Sequence, residues 1–127
     1  TSDSRRVVKK KVKIEKMVQQ SANLGAFISS LYSEDFDLMS RSVVDEIVEP
    51  DRSMLIPEFE SIKKISTESG ALSCGISGSG PSIFALSNNS ETSKIILNNV
   101  CSHLDKVKID YDSFISKVNP KGIKILD

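Results

Sequence analysis

Residues 70–84 read GALSCGISGSGPSIF, and the hydrophobic pattern changes period across this stretch. Before Gly70, apolar residues recur every three or four positions. After it they come in short β-branched or aromatic runs, LSCGI (72–76) and SIFAL (82–86). Side chains repeat every 3.6 residues around a helix but alternate faces along a strand, so a change of period means a change of element. The two runs flank a segment holding Gly75, Gly78 and Gly80, and read as antiparallel strands joined by a glycine-rich loop.

On the amino-terminal side, Ile14, Met17, Val18, Leu24, Phe27, Ile28 and Leu31 mark a long amphipathic helix over 10–32. Ser33 or Asp35 can cap a second helix carrying Phe36, Met39, Val43 and Ile47 on one face, with Pro50 as its stop. Pro57 suits the first turn of a third helix, whose stripe is Phe59, Ile62 and Ile65 and whose C-terminal cap is Gly70. Beyond the strands, Ser90 can cap a fourth helix to about His103, with Ile96, Leu97, Val100, Cys101 and Leu104 on one side. VKIDY (107–111) and GIKIL (122–126) alternate as two closing strands would. The expectation is one α+β domain, an antiparallel four-stranded sheet covered by helices.

The glycine segment has no Walker A Lys-Ser/Thr and no helix directly after it, and its GxxGxG order with a strand following is not a Rossmann fingerprint. Glycine lets a ligand approach the backbone and reaches positive φ, and successive N–H groups in such a turn can cradle an anion. A ligand loop and a structural hairpin both remain open on pattern. Three glycines and the serines at 77, 79 and 82 exceed what a connection alone requires.

Composition removes several function classes. Lys+Arg and Asp+Glu both number 17, so no overall basic field speaks for nucleic acid. The local run Arg5, Arg6, Lys9, Lys10, Lys11, Lys13 and Lys16 has no interleaved aromatics and reads as a solvated face. His103 is the sole histidine, without a ligand cluster around it, so no metal site is expected. Cys74 and Cys101 lie far apart without a CxxC, which fits reduced thiols in a cytoplasmic protein. No apolar run approaches the roughly 20 residues of a membrane helix. The start on TSDSRR, without methionine, suggests a piece of something longer.

ISGSGPSIFAL closely resembles the third conserved motif of the GHMP kinases, a superfamily of small-molecule kinases. Within it, the wider frame resembles the homoserine kinases: Thr1 to Arg5 as T-x-x-x-R, then IVEPDRSMLIPEF (47–59), ESGALSCGISGSGPSIFAL (68–86) and a terminal GIKIL. The segment Glu49, Pro50, Arg52, Leu55, Ile56, Pro57 and Phe59 is more specific than the glycine loop. The resemblance implies a ferredoxin-like C-terminal domain of an enzyme that transfers the ATP γ-phosphoryl to the L-homoserine hydroxyl, toward threonine. The family's P-x-x-x-G-L-G-S-S-type ATP loop is not in these residues. ATP and Mg²⁺ would then be bound mainly by an N-terminal domain absent from this chain, and the chain alone would be inactive.

The same resemblance assigns Arg5 and Arg52 to the substrate carboxylate, Thr1 to the neighbourhood of the reacting hydroxyl, and Gly78, Ser79 and Gly80 to the loop facing substrate and phosphate. It implies no catalytic residue and no metal ligand here. L-Homoserine and the chain's own N-terminal domain are the partners implied, with a homodimer among the possibilities. Two departures stand out: Ser4 where the family commonly has alanine, and Asp51, an acid that could partly neutralise Arg52. Without the resemblance, Arg52 would be read as a surface ion pair with Glu49 or Asp51. Competing readings are another GHMP kinase (for mevalonate, shikimate or a sugar), a non-catalytic ferredoxin-like amino-acid-binding domain, and a bare dimerisation domain.

Overall fold

A hairpin and the two helices packed on it organise the chain. The computed structural model describes residues 2–123 and 125. Strand β1 (Ser73–Ile76) pairs antiparallel with β2 (Ile83–Leu86), placing Cys74 opposite Ala85 and Gly75 opposite Phe84. Leu72 N donates to Leu86 O and Ser77 N to Ser82 O, both at 2.8 Å, so the pairing runs past both strand ends. Helices α5 (Phe59–Glu68) and α6 (Ser90–Val107) cover one face of the hairpin. Ile62 of α5, Cys74 of β1 and Leu104 of α6 meet there, with Ile83, Val100 and Ile109 packed around them. Cys74 and Cys101 are both free thiols, and burial pushes the Cys74 thiol up.

The remaining helices are α1 (Ser2–Val7), α2 (Ile14–Ser33), α3 (Phe36–Ser42) and the single turn α4 (Glu49–Arg52), which runs on into a 3₁₀ turn at Ser53–Leu55. Capping chemistry explains most of the boundaries. Asp35 accepts from Leu38 N at 2.8 Å and starts α3. Asn89, not Ser90, caps α6 by accepting from Thr92 N at 2.8 Å. Gly70, at φ +96°, directly follows Ser69, the C-cap residue of α5. Glu58, at φ 58°, rather than Pro57, leads into α5.

Three expectations need correction. The second helix does not run on to Pro50. It ends at Ser42, because the Asp45 carboxylate collects the backbone N–H groups of Ile47 (2.9 Å), Val48 (2.8 Å) and Glu49 (3.1 Å). That cap opens a new helical turn, in which Pro50 occupies a starting position where its missing N–H costs nothing.

The sheet has two strands among the described residues, not four. Val107 still belongs to α6, and the left-handed Lys108 ends it, with Ile109 N donating back to Leu104 O at 3.1 Å. The alternation of 107–111 is thereby used in a helix terminus and in Ile109's contact with the core. At the other proposed strand, Lys124 and Leu126 lie outside the described residues, and Ile123 and Ile125 are almost fully exposed.

The third correction concerns α2, whose apolar side faces solvent. Ile14, Met17, Val18, Leu24, Ile28 and Leu31 are all exposed. The helix instead meets its neighbours through Asn23, which donates to Val44 O at 3.3 Å, through Gln20, which accepts from Glu46 N at 2.8 Å, and through the fully buried Ser30. Periodicity identifies an apolar face without saying what covers it.

Replacing Asp45 with alanine removes the acceptor for three N–H groups at once. Asp45→Ala is expected to lower unfolding stability by about 1–2 kcal/mol, read as the shift in chemical-denaturation midpoint. No shift would mean that α4 starts without this cap.

Candidate functional site

The glycine loop is held from outside by the segment EPDRSMLI. Glu49 begins α4, and its side chain is 11% exposed. Its carboxylate pairs with Lys63 of α5 and accepts from Ile76 N at 3.4 Å, at the end of β1. A Cβ on Gly75 would lie 2.9 Å from Glu49 Oε2 and 3.2 Å from Phe84, so the close approach of this carboxylate to the strand requires glycine there.

One turn later, Arg52 Nε donates to Ser4 O of α1 at 3.2 Å, and its Nη1 donates to Gly78 O at 3.0 Å. Ser4 is buried, and its hydroxyl donates to Ser79 O at 2.8 Å. Ile56, also buried, closes the other side of the loop: a Cβ on Gly80 would lie 3.0 Å from Ile56 Cδ1. Gly80 sits at φ +77° and precedes Pro81 through a cis peptide bond.

This geometry orients the loop. The Gly78 and Ser79 carbonyls are engaged by Arg52 and Ser4. In a trans peptide the carbonyl and the following N–H point in opposite directions. Fixing Gly78 O on Arg52 therefore turns Ser79 N–H away from the arginine. Among the described residues, the N–H groups of Gly78 and Ser79 have no acceptor, whereas Gly80 N donates to Ser77 O at 3.3 Å. Free N–H groups on a fixed turn are what an anion-binding loop needs.

The charges are sorted differently from the sequence expectation. Asp51 does not neutralise Arg52. It is buried, accepts from Lys9 N at 3.0 Å and pairs with Lys9 Nζ at 3.1 Å. The Lys9 backbone N–H and then its ammonium hold the Asp51 carboxyl below the usual carboxylate range. Glu49 is committed to Lys63. Among the described residues Arg52 has no ion-pair partner, and its second terminal nitrogen, Nη2, has no acceptor. Arg5 lies on α1 beside Ser4 and is exposed, again without a hydrogen-bond or ion-pair partner among the described residues. Thr1 falls outside the described residues.

Two contributors were missed by sequence reading. Nothing in its spacing marks Ser4, and only its hydroxyl contact to the loop reveals its use. Lys9 was counted in a solvated basic run, but it anchors α4 through Asp51. His103 pairs with Glu58 Oε2 at 2.9 Å and joins α6 to the start of α5. No group of three His, Cys, Asp or Glu placed to hold a metal ion occurs among the described residues. No helix among them is long and apolar enough to cross a membrane.

The family described as "GHMP kinases C terminal" matches residues 27–106, a span that includes α4 with Arg52 and the glycine loop but not Ser4. The chain belongs to the GHMP kinase family. This GHMP kinase domain is 36% identical to the homoserine kinase of Chlorobaculum tepidum over 99% of its length, and 40% identical to that of Chlorobium phaeobacteroides (strain BS1) over 99%. It spans about 40% of the length of each of these relatives. Its structure is similar to the crystal structure of homoserine kinase from Cytophaga hutchinsonii, with a TM-score of 0.90 and 42% identity, covering 94% of this chain and 38% of that one. The α+β architecture of the GHMP kinase C-terminal region is thus the fold of this chain.

The two loop glycines differ in their surroundings, which gives a paired test. A Cβ at Gly78 (φ +64°) meets nothing within 4 Å, whereas at Gly80 it meets Ile56 as well as a positive φ. Gly78→Ala is expected to cost about 1 kcal/mol and Gly80→Ala at least about 2 kcal/mol by thermal or chemical unfolding. Equal costs would contradict the packing of Ile56 on the loop.

Proposed function

We propose that this chain is the substrate-side wall of a homoserine kinase, which transfers the γ-phosphoryl of ATP to the side-chain hydroxyl of L-homoserine on the way to threonine. The observation that carries the reading is the convergence of three separated segments on one loop: Ser4 from α1, Arg52 from α4 and Gly78–Gly80 from the hairpin. The relatives named above support it, since each is a homoserine kinase. They weigh against a mevalonate, shikimate or sugar acceptor, and the family match weighs against a non-catalytic amino-acid-binding domain.

In this reading the hydroxyl oxygen of homoserine attacks the γ-phosphorus, the bond from phosphorus to the β,γ-bridging oxygen breaks to release ADP, and the hydroxyl proton passes to solvent. Phosphoryl transfer depends mainly on positioning and charge stabilisation rather than on covalent chemistry by the protein. Arg5 offers an uncommitted guanidinium to the substrate carboxylate, a planar match for two oxygens. Arg52 has two tasks: Nε and Nη1 hold the loop, while Nη2 and the delocalised charge remain for the carboxylate. The free N–H groups of Gly78 and Ser79 serve the transferring phosphoryl, and the resemblance assigns Thr1, outside the described residues, to the reacting hydroxyl. ATP brings the phosphoryl group, and Mg²⁺ neutralises its charge when bound. Both are held mainly by an N-terminal domain outside this chain, so the chain alone is inactive. A cytoplasmic setting belongs to the same proposal, supported by the two free thiols.

The two arginines separate binding from architecture. In the intact enzyme, Arg5→Ala is expected to raise the KM for homoserine roughly 10- to 100-fold, the loss of a charge-assisted contact, with the KM for ATP and the unfolding midpoint unchanged. Arg52→Ala is expected to raise the homoserine KM and also lower the midpoint, because the loop loses its clamp. Equal effects on both substrates, or none, would sink the assignment.

A further inference from the structure

Helix α1 carries Arg5, yet it is too short to hold itself. It has six residues, and isolated helices shorter than about 12–15 residues are marginal in water. Within it Ser4 alone is buried, so its place depends on polar contacts rather than on apolar packing. Those contacts form two pins. At the first, Ser4 donates its hydroxyl to Ser79 O at 2.8 Å, and its carbonyl accepts from Arg52 Nε at 3.2 Å. At the second, two residues beyond the end of α1, Lys9 N donates to Asp51 Oδ2 at 3.0 Å and Lys9 Nζ lies 3.1 Å from Asp51 Oδ1. Arg5 stands between the pins, exposed, with no side-chain partner of its own among the described residues to place it. The backbone must do so. Pinned at one end, the segment pivots; pinned at both, it is held.

The second pin works mainly through the main chain. The Lys9 side chain is 77% exposed, against 10% for Asp51. An exposed ammonium adds little to an ion pair, because water and salt screen it. A buried carboxylate that accepts a backbone N–H makes a stronger, charge-assisted hydrogen bond. Asp51 is itself well anchored, since the same helical turn reaches β1 through Glu49 and the glycine loop through Arg52. Its carboxylate thus ties the chain just beyond α1 to the element that carries the second arginine.

We infer that Asp51 is a positioning residue for substrate binding: through the Lys9 backbone it holds α1 so that Arg5 and Arg52 reach one carboxylate together. The inference rests on the reading of Arg5 as a partner of the substrate carboxylate. Asp51 touches neither the substrate nor the reacting atoms, and it acts through Arg5. With the second pin gone, α1 spends part of its time away from α4. The apparent affinity for homoserine then falls in proportion to the fraction still in place. The hold on ATP and the transfer step in the filled site do not depend on this pin.

The test combines steady-state kinetics with amide hydrogen exchange on the intact enzyme. Asp51→Ala is expected to raise the KM for homoserine roughly 3- to 10-fold, with kcat and the KM for ATP within about twofold of wild type. Exchange through α1 is expected to quicken on the order of tenfold, while β1 and β2 keep their protection. Asp51→Asn keeps an oxygen for the Lys9 N–H and is expected to fall between wild type and Asp51→Ala. The deciding arm is a double-mutant cycle. In an Arg5→Ala background, Asp51→Ala is expected to add nothing to the homoserine KM, since no guanidinium is left to place. An equal rise in both backgrounds overturns the inference, and so does unchanged exchange in α1. If Asp51→Ala fails to fold, Asp51→Asn carries the same cycle. A wild type that leaves homoserine unphosphorylated overturns the proposed reaction and this inference with it, whereas an active wild type with additive variants overturns the inference alone.

Discussion

The guanidinium of Arg52 links two carbonyls that belong to segments 74 residues apart, Ser4 O and Gly78 O, and the candidate site depends on that link. An arginine can do this because its nitrogens are donors in a rigid plane, so two acceptors fix both its place and theirs. The neighbours keep it available. Asp51 and Glu49, the nearest acids in sequence, are drawn off by Lys9 and Lys63. The four residues Glu49–Arg52 thus divide their labour around one helical turn: Glu49 reaches β1, Asp51 reaches the strand-free link after α1, and Arg52 reaches the loop. A side-chain carboxylate drawn onto Nε or Nη1 of Arg52 would displace Ser4 O or Gly78 O, and the loop would lose its fixed orientation.

That arrangement accounts for the glycines without treating them as mere flexibility. Gly75 admits the Glu49 carboxylate to the strand, and Gly80 turns the chain against Ile56. The loop is held between α1 and α4, and the shallow depressions along α5 and between α5 and α6 lie elsewhere. In the proposed enzyme the loop would present N–H groups and a cation to a ligand held from the opposite side.

The helices and the hairpin were legible in the sequence because their signals are local. Phe59 and Ile62 are buried on α5, as are Ile96 and Leu104 on α6, and the two strands pair across the glycine segment. The closing strands were not legible, because alternation marks an extended segment without supplying a partner strand, and around Lys108 a left-handed helix terminus uses the same residues. Asp45 was missed since a carboxylate four residues before a short helix looks like any polar residue in a run. Arg5, Arg52 and the loop were readable as types suited to carboxylate and phosphate. Their connections were not: backbone carbonyls as the partners of Arg52, and the Ser4 hydroxyl on Ser79 O, are long-range contacts with no signature in spacing.

The central claim is that Arg52 holds the glycine loop in the orientation that frees its N–H groups. Backbone ¹⁵N order parameters measure this directly, residue by residue. In the wild type, Gly78 and Ser79 are expected to be about as rigid as the strands, near 0.85. In Arg52→Ala both are expected to fall below about 0.6, while Cys74 and Ala85 within the hairpin keep their values. A loop that stays rigid without Arg52, or a loss of order spread evenly through β1 and β2, would contradict the account.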